Sequence, residues 1–129
     1  MINIRDAQSA EEYCKNNLRN FKGFTSLQDS AIHSTEFWDD KKNLFITAPT
    51  SSGKTLLAFL PMLHLSENGN YPRILYVVPY RALAYQKEKE LKKFLPDDLC
   101  DDVVVSTGEV LDKDPVIRSG DARVAVVIY

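Results

Sequence analysis

With 129 residues and 44% hydrophobic content, the chain has room for one domain-sized core and none for a second of similar size. Lys plus Arg number 16 against 18 Asp plus Glu, and the net charge of -2 excludes a general basic field for nucleic acid, so any such binding must be local. Two cysteines, Cys14 and Cys100, follow no apolar leader stretch and are expected as free thiols in a cytoplasmic setting; no apolar run approaches the roughly 20 residues needed to cross a bilayer.

In chain order, residues 6 to 20 place Ala7, Ala10, Tyr13, Cys14 and Leu18 at spacings of three and four, which predicts an amphipathic helix ended by Gly23. Ser26 reads as the N-cap of a second helix carrying Leu27, Ala31, Ile32, Thr35 and Trp38 along or near one face, with Asp29 in its first turn. Asp39 to Lys42 is a polar turn. From residue 43 short apolar runs alternate with helical patterns, which predicts a parallel α/β sheet with strands at 43 to 48, 73 to 78, 102 to 106 and 123 to 128, buried on both faces. Helices are expected near 54 to 67, stopped by Asn68-Gly69-Asn70 and kinked at Pro61, and near 80 to 95, stopped by Pro96. His33 and His64 have no partners at metal-ligand spacing.

The most informative segment is Ala48-Pro49-Thr50-Ser51-Ser52-Gly53-Lys54-Thr55, set between an apolar run and an apolar helix start. A turn at that junction gathers backbone N–H groups into one concavity, and the helix dipole adds positive potential there. Thr50, Ser51, Ser52 and Gly53 would form the cradle, Lys54 would reach the β and γ phosphates of a polyphosphate, and Thr55 would ligate Mg2+. The pattern departs from G-x-x-x-x-G-K-[ST] at its first position, where Ala48 replaces Gly.

That wording resembles motif I of superfamily 2 helicases, where alanine followed by Pro-Thr is usual, and three further segments agree with it in order. Phe24-Thr25-Ser26-Leu27-Gln28-Asp29-Ser30-Ala31-Ile32 is similar to the Q-type motif, which implies that the Gln28 amide pairs with adenine and that Phe21 or Phe24 stacks near the base. Val77-Val78-Pro79-Tyr80-Arg81-Ala82-Leu83-Ala84-Tyr85-Gln86 resembles motif Ia, with Pro79 in the first helical turn and Arg81 beside exposed N–H groups on a nucleic-acid phosphate. Ser106-Thr107-Gly108 resembles motif Ib, a backbone clamp on the strand. Arg81 and Thr107 also suit simpler roles, a solvated charge and a strand-end turn residue. Lys87, Lys89, Lys92 and Lys93, paired with Glu88 and Glu90, read as a solubilising helix face.

The resemblance implies the front part of the first RecA-like domain of a Ski-like helicase. Residues 1 to 40 would be a helical lead-in and 43 to 129 the βα units. ATP and Mg2+ would be its cofactors. DNA or RNA and the rest of the helicase, including a second RecA-like domain, or a partner subunit would be its partners, with no membrane. The resemblance further implies that the Asp-Glu magnesium motif lies outside these residues, so that the segment alone would bind ATP without turning it over. A rival from another class is a catalytically inactive nucleotide- or nucleic-acid-binding module. A small P-loop kinase is disfavoured, since no Arg-rich lid follows.

Overall fold

The structure, a computed structural model, describes residues 4–66, 73–108 and 112–129. It divides into two compact units, Met1–Asn70 and Tyr71–Tyr129.

The first unit is helical. Helix α1, Ala7–Asn17, begins at a reciprocal capping box: the Ser9 amide donates to Asp6 Oδ1 at 2.8 Å and the Asp6 amide to Ser9 Oγ at 3.2 Å. Ala10, Tyr13 and Cys14 form its buried stripe, at the spacing the sequence predicts. Helix α2, Ser26–Ile32, is capped by Thr25 rather than Ser26, because the Thr25 hydroxyl accepts from the Gln28 amide. It also ends earlier than expected. After His33 the chain leaves the α conformation and resumes as a 3-10 turn, Thr35–Trp38, so Trp38 reaches α2 from outside it, donating its indole N–H to the Ile32 carbonyl at 2.7 Å. The break falls at Ser34-Thr35, residues whose side chains compete for local hydrogen bonds; Ser34 Oγ bonds the Glu36 carboxylate at 2.5 Å.

Helix α3, Lys54–Ser66, runs through Pro61, which denies the Leu57 carbonyl its usual intrahelical partner. Leu57, Leu60 and Leu63 are buried along it, and His64 anchors the N-terminal arm, its Nδ1 lying 2.7 Å from the carbonyl oxygen of the buried Ile4. The expected helix stop at 68 to 70 lies outside the described residues.

The second unit is a three-stranded parallel sheet in the order β1-β3-β2, formed by β1 (Ile74–Val78), β2 (Val103–Ser106) and β3 (Val124–Ile128). Register pairs Ile74 with Val124 and Val78 with Ile128 on one side of β3, and Val103 with Val124 on the other. Helix α4, Arg81–Phe94, packs on all three strands through Ala84, Lys87, Leu91 and Phe94. A single turn, α5 (Asp97–Cys100), leads into β2, and α6 (Asp114–Ser119) leads into β3. Gly120 ends α6 in the left-handed region at φ 83, where a side chain would also collide with the Arg73 guanidinium.

Two expectations are corrected. Residues 43 to 48 form no strand: a strand is a pairing, and among the described residues this apolar stretch has no ladder, leaving Leu44 47% and Phe45 92% exposed. Nor is β1 buried on two faces, since Leu75 and Val77 are 61% and 50% exposed while Val103 and Val105 of β2 are buried. By register Tyr76 shares the opposite face with Val103, Val105, Val124 and Val126, all of them buried.

Candidate nucleotide and nucleic-acid sites

The loop from Ala48 to Gly53 enters α3 in the conformation a phosphate cradle needs. Ser51 and Gly53 adopt positive φ, 64 and 86, with Ser52 at negative φ between them. Such alternation turns successive N–H groups to one concave side. Ser52 Oγ closes the turn on the Pro49 carbonyl at 2.7 Å. Lys54, the first residue of α3, folds its ammonium back across the loop, 2.6 Å from the Ala48 carbonyl oxygen and 2.5 Å from that of Pro49. Thr55, half-buried, follows on the first turn of α3, and Thr50 stands exposed before Ser51. The donor set fits a polyphosphate: the loop supplies N–H groups, and a mobile cation lies across it with carbonyls it can exchange for phosphate oxygens.

Gln28 is brought to this loop and buried there, 6% exposed. Its Oε1 accepts from the Thr25 amide at 2.9 Å and its Nε2 donates to the Gly53 carbonyl at 2.9 Å. Each end of the amide retains one further hydrogen-bonding position. Thr25, whose contribution sequence reasoning missed, donates its hydroxyl to the Ser52 carbonyl at 3.3 Å. The signal was present: a Thr three residues before a Gln is a capping box. Phe21 and Phe24 pack edge-to-face on each other, centroids 5.1 Å apart.

In the second unit, the segments after β1 and β2 emerge at the carboxyl edge of the sheet, so Pro79-Arg81 and Thr107-Gly108 share that edge. Pro79 precedes the helix instead of entering its first turn; Tyr80 is the N-cap, and its side chain makes no capping hydrogen bond. Arg81 and Gly108 are exposed, while Thr107 is buried with its hydroxyl unpaired among the described residues. Ser106 Oγ is bonded to Asp114 Oδ1 at the start of α6.

The solubilising face of α4 holds for Lys92, paired with Glu88 at 2.8 Å, but not for Lys87, which is buried and paired with Glu90 at 2.6 Å. Burial works against the Glu90 charge, yet hydrogen bonds from Lys87 and Gln86 carry its carboxyl below the usual range. Both cysteines are free; burial, with Glu11 nearby, pushes the Cys14 thiol up to about 11, the value of an inert core group. Among the described residues no group of His, Cys and carboxylates could hold a metal, and no helix is long and apolar enough to cross a membrane.

A parallel sheet with helical crossovers, together with a Gly-Lys-Thr loop opening a helix, defines a partial RecA-like α/β protein. The chain belongs to the DEAD/DEAH box helicase family, whose profile matches residues 25–127, from the cap of α2 to the end of β3. It is 30% identical over 91 residues to the RQC trigger complex helicase SLH1 of Saccharomyces cerevisiae, covering 70% of this chain and 4% of that protein. It is 34% identical over 89 residues to the U5 small nuclear ribonucleoprotein 200 kDa helicase of Homo sapiens, 69% of this chain and 4% of the relative. To the ATP-dependent DNA helicase Hel308 of Methanocella arvoryzae it is 36% identical over 89 residues, 67% of this chain and 12% of the relative. These are Ski-like helicases of superfamily 2, and the chain matches only a small fraction of their length. No solved structure gives a significant match.

Proposed function

We propose that this chain is the ATP-gripping segment of an ATP-dependent superfamily 2 helicase or translocase. The observation that carries the reading is the loop: left-handed Ser51 and Gly53, with Lys54 opening α3 and its ammonium folded over the concavity. In this reading the N–H groups of residues 50 to 54 meet the phosphates and Lys54 exchanges its carbonyl partners for the β and γ oxygens. Thr55 contributes a hydroxyl to Mg2+, an ion that would neutralise phosphate charge when bound. The remaining N–H and lone pair of Gln28 are the groups that can meet adenine.

Nucleic acid, DNA or RNA, would lie along the carboxyl edge of the sheet, held by the first turn of α4, by Arg81, and by the backbone at Thr107 and Gly108. Force generation would belong to the rest of the helicase, including a second RecA-like domain. The test is strand displacement by the natural protein that carries this segment, on DNA and RNA duplexes with either overhang. ATP-dependent unwinding that disappears in Lys54→Ala supports the reading; unwinding that survives Lys54→Ala contradicts it.

A further inference from the structure

We infer that the pocket between the start of α1 and the end of α2 is a second ligand site, for an organic acid that carries a carboxylate beside a flat apolar group. It lies within the first unit and stands apart from the phosphate loop. Gln28 meets that loop near the beginning of α2, whereas Ile32 and His33 line the pocket at the helix's other end.

The pocket has a volume of about 540 Å³, inside the roughly 300–1,000 Å³ range of small-molecule sites. Ala7, Ile32 and Trp38 supply its apolar wall. Trp38 is half-buried and already fixed. Its indole N–H is held by the Ile32 carbonyl at 2.7 Å, and its ring meets Phe37 and His64 in T-shaped contacts, at centroid distances of 4.7 and 5.6 Å. A ring held in this way offers a ligand a pre-formed surface, with little rotamer freedom left to lose on binding.

The charge of the ligand follows from which rim groups are already compensated. The Asp6 carboxylate accepts from the Ser9 amide and hydroxyl, each at 2.8 Å. Glu36 accepts from Ser34 Oγ at 2.5 Å, and Asp29 Oδ1 lies 3.5 Å from His33 Nδ1, which is itself 2.9 Å from the Asp29 carbonyl oxygen. Arg5 also lines the pocket, exposed, and among the described residues its guanidinium meets no carboxylate. A guanidinium is a planar fork that takes a carboxylate through two parallel hydrogen bonds. Set beside an aromatic wall, that fork favours a ligand with a ring and a carboxylate a few bonds apart. A purely apolar ligand leaves the fork unused, and an ammonium is repelled by it.

Trp38 is the chain's single tryptophan, so its emission reports on this pocket. The experiment titrates the 129-residue chain with N-acetylphenylalanine, with its uncharged amide, and with the dipeptide acetyl-Phe-Asp-amide, reading Trp38 fluorescence under selective excitation. Arg5→Gln and Lys15→Gln are titrated alongside; Lys15 pairs with Glu11 on α1, outside the pocket. A saturable change is expected, with the acid bound about fivefold or more tighter than its amide. Arg5→Gln should erase that preference, and Lys15→Gln should keep it. The preference is a ratio taken within one protein, so a small loss of stability in a variant does not imitate the result. Tighter binding of the dipeptide than of the free acid assigns the site to a protein segment, and the reverse order assigns it to a small acid. Mg-ATP should displace neither. No saturable change, equal affinity for acid and amide, a preference that survives Arg5→Gln, or displacement by Mg-ATP overturns the inference.

Discussion

The ammonium of Lys54 donates to the carbonyl oxygen of Ala48 at 2.6 Å, so the cation that should meet a polyphosphate is held across the mouth of its own loop. The neighbouring Pro49 carbonyl shares it at 2.5 Å. Both acceptors lie at or near the surface, where water can replace the lysine. Lys54→Ala should therefore cost less than about 1 kcal/mol of folding stability, measured by urea denaturation. A loss several times larger would mean that the lysine is structural.

Left-handed backbone at Ser51 and Gly53 predicts opposite outcomes for two exchanges. Ser51→Gly removes the side-chain penalty at φ 64 and should stabilise the chain by up to roughly 1 kcal/mol. Gly53→Ala adds a Cβ at φ 86 against the Gln28 amide and should destabilise by about 2 kcal/mol. Denaturant midpoints of the two variants, read against the unsubstituted chain, check the signs.

The α1 cap carries a pH dependence. The Ser9 amide and hydroxyl hold the Asp6 carboxyl below its usual value, so its contribution is fully present above the ordinary aspartate range and fades as pH falls through the lowered folded value. Asp6→Ala should cost about 1 kcal/mol at pH 7. That deficit should shrink as pH drops below about 4, in thermal melts of both proteins across the acid range.

Lys87 and Glu90 give a second handle of the same sign. Glu90→Gln leaves the buried Lys87 without its carboxylate partner at 2.6 Å, while Gln86 keeps a neutral acceptor. Because Glu90 is itself 36% exposed by its side chain, solvent screening limits the cost to about 1 kcal/mol. The Glu90 carboxyl is lowered in the fold, so the difference between the two proteins should vanish in acid, as unfolding followed by circular dichroism would register.

What was legible in the sequence was what depends on local chemistry. The Gly-Lys-Thr loop, the stripe of α1, the span of α4 and the three β-branched runs at β1, β2 and β3 all follow from spacing and residue type. Gln28 was singled out by its motif, but its double lock on Thr25 and Gly53 was not legible, since capping geometry decides which atoms face the loop. Residues 43 to 48 have the composition of a strand, yet pairing is a long-range event that composition cannot supply. Lys87 shows the same limit: its place in a run of alternating charges suggested solvent, whereas its position between Ala84 and Leu91 on the packed stripe of α4 buries it.

In the proposed role the loop from Thr50 to Thr55 grips the phosphates of ATP through Lys54. Calorimetric titration of the 129-residue chain with Mg-ATP, beside a Lys54→Ala chain of matched folded content, tests it most directly. Saturable, one-to-one binding is expected, weakening at least tenfold in Lys54→Ala through the loss of a charge-assisted contact to phosphate. Equal affinity in the two proteins, or no saturable binding by the unsubstituted chain, would contradict it.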